Sequence, residues 1–126
     1  MEPIGLKILV VDDETAARRG LVSLLSGWGY AVEEAADGQE ALEFARDHTV
    51  DLVISDVNMP RMDGIKLVSE LRALPSYRLI PLLLLTTESS QEKKLEGKRA
   101  GATGWIVKPF NPAQLINTLG RLFATP

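Results

Sequence analysis

Asp56 closes the apolar run Leu52-Val53-Ile54-Ser55, and Asn58, Met59 and Pro60 stop that run immediately afterwards. An aspartate at the outgoing end of a buried strand is either a cap for the next helix or a group doing chemistry. The ends of the other apolar runs bear on the choice. Val10-Val11 leads into Asp12-Asp13-Glu14, Leu84-Leu85 into Thr86-Thr87, and Ile106-Val107 into Lys108-Pro109. If these strands run parallel, three carboxylates, a hydroxyl and an ammonium meet at one edge. Carboxylates so gathered repel, and without a counter-charge at least one would hold its proton more tightly. A hard divalent cation with oxygen ligands relieves that repulsion.

The elements that must position these groups follow from hydrophobic periodicity. Lys7 to Val11 has no polar alternation, as a strand covered on both faces requires. Ala17, Leu21, Leu24, Leu25 and Trp28 trace one stripe of a helix that Gly27 and Gly29 end. Tyr30 to Ala35 reads as a strand at the sheet edge because of Glu33 and Glu34. Asp37-Gly38-Gln39-Glu40 has the residue types of a capping box for a helix over 38–47. Ile65, Val68 and Leu71 space a third helix, and Leu79 to Leu85 a fourth strand with Pro81 near its start. Ser89-Ser90-Gln91-Glu92 offers a second capping box, opening a helix to about Arg99 that is thin in apolar residues and carries Gly97. That helix is expected to be the least firmly held. Gly104 to Val107 is a fifth strand. Asn111 caps and Pro112 opens a last helix with the stripe Leu115, Ile116, Leu119, Leu122 and Phe123.

Five strands alternating with five helices predict an α/β fold with an open parallel sheet and right-handed crossovers. Ligands in such sheets bind at the carboxyl ends of the strands. The 126 residues suit one domain, and 45% hydrophobic with 25% charged residues excludes disordered and fibrous classes. A net charge of -3 argues against direct nucleic-acid binding. Lys93, Lys94, Lys98 and Arg99 alternate with Glu92 and Glu96 and read as a solvated face. The absence of Cys removes disulfides and thiolate chemistry. No apolar run approaches a membrane span and no signal peptide is evident, so a cytoplasmic protein without membrane insertion is expected. His48, the only histidine, ends a helix and reads as a surface residue.

Together VVDDE, DVNMPRMDG, LLTTES and AGATGWIVKPF resemble the receiver domain of two-component response regulators, from about Ile8 to Phe123. The resemblance implies a flavodoxin-like, CheY-like sheet of five parallel strands in the order 2-1-3-4-5 flanked by five helices. It implies that Asp56 accepts a phosphoryl group from a phosphohistidine on a sensor histidine kinase. It further implies Mg²⁺ held by Asp12, Asp13, Asp56 and the backbone carbonyl of Asn58, with Thr86 and Lys108 at the phosphoryl oxygens. An all-oxygen site with open water positions suits that ion, and carboxylates are recognised nucleophiles for phosphoryl groups. A cis Lys108-Pro109 bond aiming the lysine inward is also implied. Thr86 and Trp105 would form the switch. Trp105 takes the place of a Tyr or Phe that moves on phosphorylation, and on its own residues it reads as a partly buried strand aromatic. Thr87 stands where a smaller residue is common, and its methyl could narrow access to Asp56.

Two other uses of such a fold fit poorly. A flavodoxin-like cofactor binder needs a hydroxyl- and Gly-rich cradle where this chain has three acids. An aspartate-nucleophile phosphatase needs its nucleophile on the first strand and a longer chain. The expectation is a single receiver domain over 1–126 without an output domain, read by another protein. Asn58 and Glu88 match stand-alone chemotaxis regulators, which implies control of the flagellar motor switch through the fourth helix, fifth strand and fifth helix. The alternatives are a receiver from a hybrid kinase, one from a DNA-binding regulator, or a phosphorelay shuttle.

Overall fold

The structure is a computed structural model that describes residues 5–87 and 90–123. Five strands, β1 (Lys7–Val11), β2 (Ala31–Ala35), β3 (Leu52–Asp56), β4 (Leu82–Thr86) and β5 (Gly104–Val107), alternate with five helices. These are α1 (Thr15–Gly27), α2 (Gly38–Asp47), α3 (Gly64–Arg72), α4 (Gln91–Ala100) and α5 (Pro112–Leu122), with a short 3-10 turn at Pro75–Tyr77. All neighbouring strands pair in parallel, in the order β2-β1-β3-β4-β5. The expected architecture and strand order are the observed ones.

Because side chains alternate across a strand, the sheet feeds two cores. Leu9, Val11, Val53 and Leu84 meet Ala41, Leu42 and Ala45 of α2 and Leu67, Val68 and Leu71 of α3. Ile8, Val10, Ile54, Leu83 and Leu85 meet Leu21 and Leu25 of α1 and Leu115 and Leu119 of α5. Each fully buried aliphatic side chain contributes about 1.5–3 kcal/mol of transfer free energy. The three central strands, covered on both faces, are therefore the rigid frame from which the strand ends project.

Helix caps follow local chemistry. Asp37 accepts from the Glu40 N–H (2.9 Å), Asp63 from the Lys66 N–H (2.8 Å) and Asn111 from the Ala113 N–H (2.8 Å). At α4 the observed cap is Ser90, which accepts from the Lys93 N–H at 3.2 Å. Glu92 then occupies the second helical position, so the four-residue box read from Ser89 is displaced by one. Ser89 itself and Glu88 lie outside the described residues.

Three expectations about apolar positions are corrected. β4 begins at Leu82 rather than Leu79, whose side chain is 92% exposed. Pro81 has no N–H to give the ladder, and pairing starts only beyond it. In α3 the buried stripe is Gly64, Leu67, Val68 and Leu71, with Ile65 only partly covered. In α5 Ile116 points to solvent, because only Leu115 and Leu119 face the sheet squarely. Gly97 is the buried residue of α4, where a Cβ would stand 3.0 Å from both Leu84 and the Trp105 ring. A residue that reads as a helix weakness is thus the point of closest approach. No helix among the described residues is long and apolar enough to cross a membrane.

Candidate phosphoryl-transfer and metal site

The carboxyl edge of the sheet brings together the residues that close the strands. Asp56 is the last residue of β3 and 9% exposed; Asp12 follows β1 and is 6% exposed. Asp13 beside it is open to solvent. One ligand oxygen from each of Asp12, Asp13 and Asp56 lies within 4.8 Å of the others. Lys108, just past β5, reaches over them, with Nζ 3.0 Å from Asp56 Oδ1 and 3.5 Å from Asp12 Oδ2. Thr86 ends β4 fully buried, and its carbonyl accepts from the Lys108 N–H at 2.7 Å, tying the β4 and β5 ends together. The Lys108-Pro109 peptide is cis.

The electrostatics are lopsided. Burial raises the Asp56 carboxyl above its ordinary range; the Lys108 ammonium pulls it down, and Asp12 and Asp13 push it up again. Burial by itself would lower Lys108, but its bonds to Asp56 and Asp12 outweigh that and hold the ammonium above its usual value. Three carboxylates against one ammonium leave the pocket net negative. Hard oxygen donors in this number, with Asp13 leaving one side open to water, fit a small divalent cation such as Mg²⁺. Asn58 follows two residues after Asp56, exposed on the loop beyond β3.

Two residues that the strand-end pattern does not reveal brace this edge. Arg18 of α1 donates to the Asp12 carbonyl (2.7 Å) and to Glu34 Oε1 (3.0 Å), fixing the β1 exit against β2. Arg61, in the loop between β3 and α3, pairs with Asp37 at the start of α2. Only a helical register that points Arg18 back toward the sheet would have exposed the first in sequence, and no local signal marks the second. Thr87 is exposed, beyond the last β4 residue. Trp105 is half-buried on the α4 side of β5, and its Nε1 is buried without a hydrogen-bond partner among the described residues. His48 lies on the surface at the end of α2, its ring stacked on Phe44 with centroids 4.5 Å apart.

Residues 8–120 match the response regulator receiver domain family. The chain belongs to that family. Among its relatives, the chemotaxis protein CheY-3 of Vibrio cholerae is 40% identical over 120 residues, covering 94% of this chain and 92% of that protein. The solved Vibrio cholerae chemotaxis protein CheY4 superposes with a TM-score of 0.89 at 51% identity, covering 94% of this chain and 98% of that one. The receiver domain of the sensor histidine kinase PA1611 from Pseudomonas aeruginosa PAO1 has a magnesium ion coordinated in its active-site cleft. It superposes with a TM-score of 0.87 at 30% identity, covering 94% of this chain and 97% of that one. This receiver domain is thus of the CheY type and belongs to two-component signalling.

Proposed function

We propose that this receiver domain is a phosphorylation-activated switch in which Asp56 takes a phosphoryl group from a phosphohistidine of a sensor histidine kinase. The observation that carries the reading is the approach of Lys108 Nζ to Asp56 at 3.0 Å inside a pocket that still holds excess negative charge. An Asp56 carboxylate oxygen bonds to phosphorus as the phosphorus–nitrogen bond breaks, and that bond's electron pair stays on the donor imidazole. Lys108 supplies a fixed positive charge where charge builds on the transferred oxygens, and such transfer is largely positioning plus electrostatics. Asp12, Asp13, Asp56 and the Asn58 carbonyl would hold Mg²⁺, which when bound neutralises charge between nucleophile and phosphoryl group.

The aspartyl phosphate carries roughly two negative charges and strong acceptor oxygens. Thr86 closes β4 and is buried; engagement of its hydroxyl by those oxygens would bias α4 and Trp105 toward a second packing. The face formed by α4, β5 and α5 supports a role in partner docking. It exposes one large apolar residue from each element, Leu95, Val107 and Ile116. Between α4 and β5 lies a cleft of about 250 Å³ lined by Lys94, Lys98 and Trp105. The similarity to chemotaxis proteins supports a cytoplasmic regulator whose target is the flagellar motor switch.

Treatment with acetyl phosphate and Mg²⁺ is expected to add one labile phosphoryl mass to the wild type and none to Asp56→Asn. A gain that survives this substitution, or none in the wild type, overturns the assignment. Lys108→Ala is expected still to take up phosphate, more slowly, and to signal poorly, and a full response from it would remove Lys108 from the switch. The likeness to the receiver domain of a sensor histidine kinase favours a second reading, an intermediate carrier in a phosphorelay. Transfer from phosphorylated Asp56 onward to a histidine phosphotransfer protein would select that reading.

A further inference from the structure

The segment between β3 and α3 is closed at its base by the Gly64 N–H, which donates to the Val57 carbonyl at 2.8 Å. There is no room for a Cβ at Gly64, which would run into the Asp56 carbonyl. At the tip stands Arg61 with φ +67°, the single non-glycine residue of positive φ among the described residues. It sits at the centre of a three-residue turn, across which the Met62 N–H donates to the Pro60 carbonyl at 2.7 Å. Such turns are strained for an L residue and persist only where the surroundings over-determine them.

Two contacts with α2 supply that constraint. A Cβ on Gly38 would come 2.6 Å from the Met62 carbonyl oxygen, so the loop backbone lies directly on the first turn of the helix. The Arg61 guanidinium donates through Nη2 to Asp37 Oδ2, while Oδ1 of the same carboxyl caps α2. Asp37 is only 5% exposed, and the bond from Arg61, followed by that from the Glu40 N–H, holds its carboxyl below the ordinary range. A mostly exposed arginine therefore has a buried, pre-placed partner.

We propose that the Arg61–Asp37 pair is a positioning element for the metal site, pinning the 58–63 loop against α2 and so fixing where the Asn58 carbonyl stands relative to Asp12, Asp13 and Asp56. This rests on the reading that the Asn58 carbonyl is a metal ligand. Positioning and charge act in opposite directions, which makes the idea testable. Removal of one positive charge near a cation site would by itself tighten cation binding. Loss of a positioning contact behind a metal ligand weakens it, by about tenfold at the lower end of the usual range.

Titration calorimetry of the unphosphorylated protein with MgCl₂ separates the two. Arg61→Ala and Asp37→Asn are each expected to raise the Mg²⁺ Kd by about tenfold, and the double variant by no more than either alone. Arg61→Gly accepts the positive φ without strain and is expected to bind Mg²⁺ as weakly as Arg61→Ala while keeping a higher thermal midpoint than that variant. An unchanged or tighter Kd in Arg61→Ala, additive losses in the double variant, or a wild-type Kd in Arg61→Gly overturns the proposal. Failure of the wild type itself to bind Mg²⁺ overturns the underlying metal-site reading instead.

Discussion

At the carboxyl edge of the sheet one lysine bridges two of three gathered carboxylates, whereas at the amino edge one guanidinium is shared among backbone carbonyls. Arg72, at the end of α3, donates to the carbonyls of Tyr77 (2.7 Å), Ile80 (2.8 Å), Gly101 (2.9 Å) and Arg78 (3.3 Å), and to Thr103 Oγ1 (3.3 Å). Thr103 Oγ1 in turn accepts from the Leu82 N–H at 2.9 Å, and the buried Tyr77 hydroxyl donates to the His48 carbonyl at 2.6 Å. Burial lowers the Arg72 pKa, but a guanidinium stays charged, and five acceptors surround it, three of them sharing the two Nη1 donors. That edge locks α3, the 3-10 turn and the α4–β5 turn together, and polar groups there find partners within the chain. The carboxyl edge keeps like charges adjacent and unresolved. An edge that is finished serves stability; an edge left electrostatically incomplete is where an ion and a phosphoryl group can be accommodated.

The sharpest way to break this contrast is Arg72→Met. It strands several carbonyls that the guanidinium now satisfies and is expected to cost about 3–5 kcal/mol in urea unfolding. A loss below about 1 kcal/mol would mean that water replaces the guanidinium and that the amino edge is not a lock. At the other edge, Mg²⁺ at a hundredfold excess over its Kd is expected to stabilise the wild type by about 2.7 kcal/mol. Asp13→Asn at the same concentration should show a much smaller gain, and an equal gain would place the ion elsewhere. Without divalent cations, Asp56→Asn is expected to raise stability at pH 7 by about 1 kcal/mol, since it removes a buried carboxylate from beside two others. Destabilisation would show that the Lys108 ion pair outweighs that repulsion.

The smallest expected effect concerns Asp37, whose carboxyl is held low by Arg61 and the α2 cap. A lowered acid contributes stability that is present above the ordinary carboxylate value and lost as pH falls through its folded-state value. The stability difference between wild type and Asp37→Asn should therefore be constant near neutrality and shrink below about pH 4. A difference that does not change on acidification would show that the carboxyl is not held low.

The strand ends were legible because each lies within a few residues of its own apolar run. Val10-Val11, Leu52 to Ile54 and Leu84-Leu85 announce buried strands, and the polar residue that follows each must emerge at an edge. Periodicity was less informative at margins. Ile116 continues the α5 stripe in sequence yet stands exposed, and Leu79 looks like strand but precedes the proline that delays pairing. Gly97 gave the opposite sign: its low helix propensity is visible in sequence, while its value as a bare surface against Leu84 and Trp105 depends on two other elements.

Composition and pattern by themselves determined an α/β chain with acids, a hydroxyl and a lysine at successive strand ends, because the period of burial is a local property of each segment. The tertiary structure decided that Lys108 stands 3.0 Å from Asp56 rather than in solvent, and that Arg61 finds Asp37 and Arg72 finds Gly101. Those partners are separated by 52, 24 and 29 positions, and no local preference of a long, flexible side chain encodes which distant group will be buried beside it.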